Sequence, residues 1–331
     1  NNTAEYHLNV YAKTKVATEL VPQDHVVAYE QFEISKPKSS VLLSQSDKQI
    51  NFHEVDNTIS ISSVDFKIIF NKESGLVTDI DYGSGNILLQ GVKPNFWRAT
   101  TDNDFGFKMP EKLGVWNEAT NNQELISVTS KSLENNMVKI ETLYNLPSVN
   151  GHVAVNYTLN ANGEILVQTI LNNIKNEFNK VRWFGRGPHE NYQDRNTSAL
   201  VGQYEAQVSD LYFPYIRPQE NGYKTDTRWV SFINSAGKGI TIEGVNNISF
   251  SAHHQYNSDF DAGETKQQRH TTDIVKRDLV NINIDYKQMG VGGDNSWGAM
   301  PHPEYSIKPA NLSYGYIITV SYTHLRAHET F

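Results

Sequence analysis

Apolar and polar residues alternate with period two along most of this chain, and the three-to-four spacing of a helix is rare. Tyr6, Leu8 and Val10 alternate with His7, Asn9 and Tyr11, and Ile59 and Ile61 flank Ser60. Both patterns predict half-buried strands. The clearest hairpin runs from Val153, Val155, Tyr157 and Leu159 through residues 160–163 (NANG) to Ile165, Val167 and Thr169. A short Asn/Gly segment supplies the left-handed backbone that a tight reversal requires. Ile240 and Ile242 follow a second turn at residues 236–239, and Tyr314, Tyr316, Ile318 and Val320 form another alternating run. In all, roughly a dozen or more strands are expected. The best helical candidates, residues 111–120 and 198–208, are short. The class predicted is therefore all-β with minor helical insertions.

The stretch SKPKSSVLLSQSDKQIN, beginning at Ser35, lacks sustained periodicity and marks a boundary near residues 35–50. The strand pair before it is too small to bury a core alone. Residues 1–45 are read as the closing strands and linker of a sandwich that begins upstream. Residues 46–320 are read as one large antiparallel sandwich domain. The polar tail 321–331 holds His324 and His328 at helical spacing, but it resembles translated adapter sequence and is read as non-native.

Composition narrows the function. No run approaches the ~18–20 apolar residues of a spanning helix, and no signal-peptide block opens the chain. Lys and Arg number 29 against 37 Asp and Glu, a formal charge of −8 without a basic cluster, which argues against nucleic acid as a partner. The absence of cysteine excludes disulfides, thiolate zinc sites and a cysteine nucleophile. It leaves the compartment open between cytoplasm and periplasm. The 17 Tyr, 14 Phe and 5 Trp suit both β structure and stacking on sugar rings.

Candidate chemistry gathers in four loops. WFGRGPHENYQDR places Arg186, His189, Glu190, Asn191, Tyr192, Asp194 and Arg195 on one bend. The bland alternative is that Arg186 or Arg195 pairs with Glu190 or Asp194 to pin it. PQENGYKTDTRW brings Glu220, Asn221, Asp226 and Arg228, with a turn at Asn221 and Gly222. NFWRATTDNDFG carries Arg98, Asp102, Asn103 and Asp104. It is expected to form a capped, solvated turn, since it lacks the spacing of a calcium loop. GVGGDNSWG holds Asp294, Asn295 and Trp297, the indole serving either as a recognition platform or as a plug for its own core. His253 and His254 are strand neighbours and cannot readily share one ion. No metal site is assigned to this chain.

Taken in order, these four motifs resemble the small-chain, or fifth, domain of family 2 β-galactosidases. The opening residues, ending in VPQDHVVAYEQFEI, are similar to the closing strands of the immunoglobulin-like domain that precedes it there. The resemblance spans all but the tail. It departs at Asp24, where the family commonly has glycine.

The resemblance implies an antiparallel supersandwich of galactose mutarotase type, packed on a catalytic (β/α)₈ barrel. That barrel carries both catalytic glutamates, most galactose ligands and a divalent cation (Mg or Ca), so no catalytic residue and no cofactor is expected here. It implies that Trp297 stacks on the sugar at the active-site mouth, with Asp294 and Asn295 shaping the same loop. Arg98, Asp102, Asn103, Arg186, His189, Glu190, Asn191, Glu220 and Asn221 then support loops or the contact with the barrel. The function implied is the C-terminal part of a retaining β-galactosidase, inactive alone, whose partners are the β-galactoside and the rest of its own chain. The alternatives are a stand-alone mutarotase-like epimerase using His189, His253 and Glu220, or a carbohydrate-binding module.

Overall fold

A computed structural model describes residues 4–36, 41–91, 93–167, 174–295, 297–308, 310 and 312–321. Thr169 and the tail histidines His324 and His328 lie outside them. The described residues fall into two compact units, the second beginning at Val41.

In the first unit, strands Tyr6–Lys13 and Val26–Ser35 form an antiparallel ribbon. The alternation does produce strands, but neither face is covered. Tyr6, Leu8, Val10, Val27, Phe32 and Ile34 are all about half exposed or more, so the half-buried face expected of this segment is absent. Asp24 has φ +63°, and its amide bonds to Thr14 O at 2.9 Å. The turn therefore forms in the conformation a glycine would favour, with aspartate, one of the few side chains that tolerates it.

In the second unit the period-two patterns become one large antiparallel sheet. Its order is Leu200–Gln207, Lys180–Gly187, Lys224–Ile233, Gly239–His253, Tyr316–Ser321, Ile165–Val167, Gly151–Asn160, Met137–Leu146 and Glu124–Leu133. Strand Leu279–Asp285 pairs separately with Gly239–His253. The short strand Ile174–Lys175 pairs with Leu279–Asp285, and a four-stranded sheet runs from Asn51–Val55 to Leu76–Asp81. Ile59, Ile61, Phe70 and Ile80 of the small sheet join Val138, Ile140, Tyr157 and Ile318 of the large one in a single buried cluster. Phe70 meets Tyr157 edge-on at 5.5 Å, and Tyr144 donates to Gly75 O at 2.8 Å. Burying this many aliphatic side chains, each worth ~1.5–3 kcal/mol, is the main force holding the two sheets together.

Two local expectations change. Residues 198–208 form strand Leu200–Gln207, paired with Lys180–Gly187 along its length. Gly202 weakens a helix there, and alternate positions face the neighbouring strand's side chains, the Tyr204 ring packing tilted against Trp183 at 5.3 Å. Residues 111–120 hold two short helices, Met109–Leu113 and Val115–Asn121, parted at Gly114. There a Cβ would come 2.4 Å from Pro110 O.

Candidate functional site

Strand pairing sets the second and third motifs together. The bend after Lys180–Gly187 and the loop before Lys224–Ile233 are brought side by side because those strands pair. The loop after Leu279–Asp285 joins them.

The first motif is built on a helix start. Thr101 caps helix Asp102–Gly106, its Oγ1 accepting Asp104 N at 3.2 Å while Asp104 Oδ2 accepts Thr101 N at 2.8 Å. The Thr-x-x-Asp spacing is a capping box. Asp104 is 1% exposed and forms a buried ion pair with Arg98 at 2.7 Å, so this segment is capped but not the solvated turn expected. Burial works against the Arg98 charge, but Asp104 and then Glu220 outweigh it and its pKa lies above the ordinary guanidinium value. Arg98 also donates to Gly290 O at 3.4 Å, and Asn103 Nδ2 to Val291 O at 2.9 Å. Asp102 Oδ1 accepts from Arg217 at 2.7 Å and Lys266 at 2.6 Å. Although burial opposes its charge, these two cations hold its pKa below the usual carboxylate range.

In the second motif the pinning pairs are divided differently from expectation. Glu190 does take Arg195, together with the Tyr215 hydroxyl. Arg186 instead reaches Asp226 at 2.6 Å, and Asp194 Oδ2 accepts Gly292 N at 2.7 Å. Asp226 has φ +50° at an irregularity in its strand pairing, the backbone kink that lets its carboxylate meet Arg186. Asn191, fully buried, accepts Thr225 N at 3.0 Å and Thr225 Oγ1 at 2.7 Å. Its neighbour His189 is exposed and bonds Ser198 at 3.0 Å.

The third motif supplies the buried titratable groups. Glu220 is 8% exposed. Burial pushes its pKa up to about 8 against the pull of Arg98, with Asp285 adding to the rise. Gln288 Nε2 lies between the two acids, 3.4 Å from Glu220 and 3.3 Å from Asp285. Lys224 is 1% exposed and donates to Gly222 O at 3.1 Å; burial lowers it to about 8. Asn221 caps the adjoining loop by accepting Phe213 N at 3.0 Å. His253 hydrogen-bonds Asn221 O at 3.0 Å, and burial drives it down to about 4. His254 bonds Leu279 O at 2.7 Å. Both are buried, and burial lowers His254 as well.

Together the loops enclose a cleft of about 260 Å³ lined by Thr101, Asp102, Asn103, Tyr192, Arg195, Tyr215, Gln219, Glu220, Val291 and Gly292. All four motifs contribute. Of the residues singled out from sequence, Asp102, Asn103, Tyr192, Arg195 and Glu220 border it; Arg98, Glu190, Asn191 and Asn221 brace its walls from behind. Arg186 and His189 serve the bend itself, and no histidine lines the cleft. Thr101, Tyr215 and Gln219 were not singled out. The Thr-x-x-Asp spacing marked the first, but nothing in a loop sequence marked the other two.

The fourth motif carries Trp297 outward. The ring is 91% exposed, so it does not plug a core. Its amide bonds Asn295 Oδ1 at 2.8 Å, and Asp294 pairs with His302 at 2.8 Å, a contact that raises the imidazole pKa. Gly298, at φ +106°, backs onto Gly106 of the first motif, where a Cβ would come 2.7 Å from its carbonyl. Among the described residues no cluster of three His, Cys, Asp or Glu could hold a metal ion, and no helix is long and apolar enough to cross a membrane.

Known proteins are similar in sequence to this chain. The chain is 32% identical to the beta-galactosidase of Priestia megaterium over 95% of its own length and 31% of that protein's. It is 29% identical to the beta-galactosidase of Pseudoalteromonas haloplanktis over 96% and 32%. It thus spans about a third of the length of the curated relatives it matches. Among solved structures, HI1317 aligns over 84% of this chain and 98% of its own, with 9% identity and a TM-score of 0.40. The family model described as beta galactosidase small chain matches residues 62–318, a stretch that contains all four motifs and the cleft they build, and the chain belongs to that family.

Proposed function

We propose that this chain is the C-terminal part of a retaining β-galactosidase, lining the mouth of an active site whose machinery lies in a barrel elsewhere in the protein. In this reading the barrel brings the acid and nucleophile carboxylates, the galactose ligands and the divalent cation. The ribbon of residues 1–45 closes an immunoglobulin-like sandwich, which accounts for apolar residues exposed on both its faces. Residues 46–320 form the supersandwich, and Trp297 stacks on the sugar beside Asp294 and Asn295.

The observation that carries this reading is the exposure of Trp297 on a loop tied to two other motifs. An indole set in solvent on a fixed loop has no partner in its own core and suits a flat apolar sugar face. The family match and the one-third coverage of the relatives support the remainder. A stand-alone epimerase has less support, because His189 and His253 are engaged away from the cleft.

The test is to join the chain to the preceding part of its reading frame and follow hydrolysis of a β-galactoside. Trp297→Ala should lower kcat/KM by about tenfold, the worth of one stacking contact. Unchanged turnover, or hydrolysis by the 331-residue chain alone, overturns the reading.

A further inference from the structure

Tyr192 lines the cleft, is 1% exposed, and its hydroxyl has no hydrogen-bond partner among the described residues. A buried hydroxyl left in this state costs free energy unless something outside the fold completes it. Nearby groups have capacity to spare. Thr101 Oγ1 accepts the helix cap, so its own hydrogen remains to donate. Gln219 Oε1 accepts Asp102 N at 2.9 Å, and the amide nitrogen extends from the same side chain. Glu220 borders the space with one weak contact to Gln288.

The charges present a different picture. Asp102 is matched by Arg217 and Lys266, Arg195 by Glu190, and Arg98, behind the wall, by Asp104. Burial keeps Glu220 protonated near neutrality. The charged side chains that line the cleft, Asp102 and Arg195, are each already paired, so an ionic ligand would have to displace a partner, whereas a ligand of alternating donors and acceptors would meet both. We propose that this cleft binds a neutral polyhydroxylated molecule the size of one sugar ring, held by Tyr192, Glu220, Thr101 and Gln219. Trp297 is not among the residues that line this cleft, and the proposal does not depend on the role given to that residue.

The test is isothermal titration of the 331-residue chain with galactose and glucose, and with glucuronate and glucosamine as charged counterparts. Saturable binding of a neutral sugar is expected. It should weaken about tenfold in Tyr192→Phe, one hydrogen bond's worth, and comparably in Glu220→Ala, and persist in Trp297→Ala. Tyr192→Phe removes a group with no partner in the fold, so the variant keeps its structure. Lack of saturation by any neutral sugar overturns the proposal, as does preference for a charged one. Binding lost only in Trp297→Ala places the sugar at the indole and overturns the cleft while sparing the reading of Trp297.

Discussion

Glu190 accepts the backbone amide of Gly222 at 2.7 Å. Its other oxygen takes Arg195 and the Tyr215 hydroxyl, so one carboxylate ties three points of two loops. Gly222 sits at φ +77°, and a Cβ there would lie 2.7 Å from His253 and from Leu211 O. The amide cannot move to find another acceptor without displacing the core behind it. Glu190→Ala should cost about 2–3 kcal/mol in urea unfolding, since hydrogen bonds to a charged acceptor are lost together. Glu190→Gln should recover part of this, because its carbonyl can still accept Gly222 N. Equal losses in the two variants would show that the backbone bond carries nothing.

Glu220 gives stability a pH dependence of definite sign. With its pKa raised to about 8, the folded state holds a proton that the unfolded chain has released. Stability therefore falls as pH rises from the ordinary carboxylate value to about 8, by up to ~1.4 kcal/mol per pH unit. Asp285, raised to about 6, acts the same way only below that value, and His253, lowered to about 4, acts oppositely below the ordinary histidine range. Lys224, lowered to about 8, favours folding as pH climbs above 8. Between pH 6.5 and 8 Glu220 is the buried acid that keeps a proton the unfolded chain lacks, with Arg98, Asp285 and Glu190 as its charged neighbours, and Lys224, common to wild type and variant, cancels in their difference. The difference in unfolding free energy between wild type and Glu220→Gln should widen in favour of the variant across that window. A flat difference curve would contradict the buried, protonated acid.

The close approach of Gly290 to Asp194 fixes the loop that bears Trp297. A Cβ on Gly290 would fall 2.7 Å from Asp194 Oδ2 and 3.1 Å from its Cβ. That carboxylate cannot swing away without releasing Gly292 N. Gly290→Ala should therefore destabilise by about 1–3 kcal/mol through overpacking, read as a lower urea midpoint. Asp194→Ala combined with Gly290→Ala should cost less than the sum of the two single changes, because the first removes the two closest contacts, those with the carboxylate. Additive losses would mean that the two residues do not touch.

Much of this architecture was legible in the alternation itself. Ile59 and Ile61 are wholly buried, and the Val153–Leu159 run pairs with Ile165 and Val167, because a strand with one apolar face can satisfy it in only one way. Residues 198–208 misled because several apolar residues at mixed spacing fit either period until a partner strand is known. The Tyr6–Tyr11 strand formed without a buried face, since alternation reports what a strand can cover and not whether a cover is present. The cleft was visible as four polar loops, yet the pairing within them was not. Arg186 chose Asp226, forty residues away, over the acids beside it, and only the neighbouring strands bring those two together. The depth of Asp104 was hidden for the same reason.

Trp183 and Trp297 are the two extremes of indole burial, and their replacement separates packing from display. Trp183 is 1% exposed, packs at a tilt against Tyr204 at 5.3 Å, meets Phe250 at 5.9 Å and donates to Arg186 O at 3.1 Å. Its loss leaves a cavity at the base of the bend that carries Arg186 and Glu190, so Trp183→Ala should cost about 3–5 kcal/mol. Trp297, at 91% exposure, removes almost no apolar area from water on folding, and Trp297→Ala should change unfolding by less than ~0.5 kcal/mol. Both are read from the same urea titration. A large loss at Trp297 would mean that the ring packs against something in solution, and its place as an open sugar platform would have to be given up.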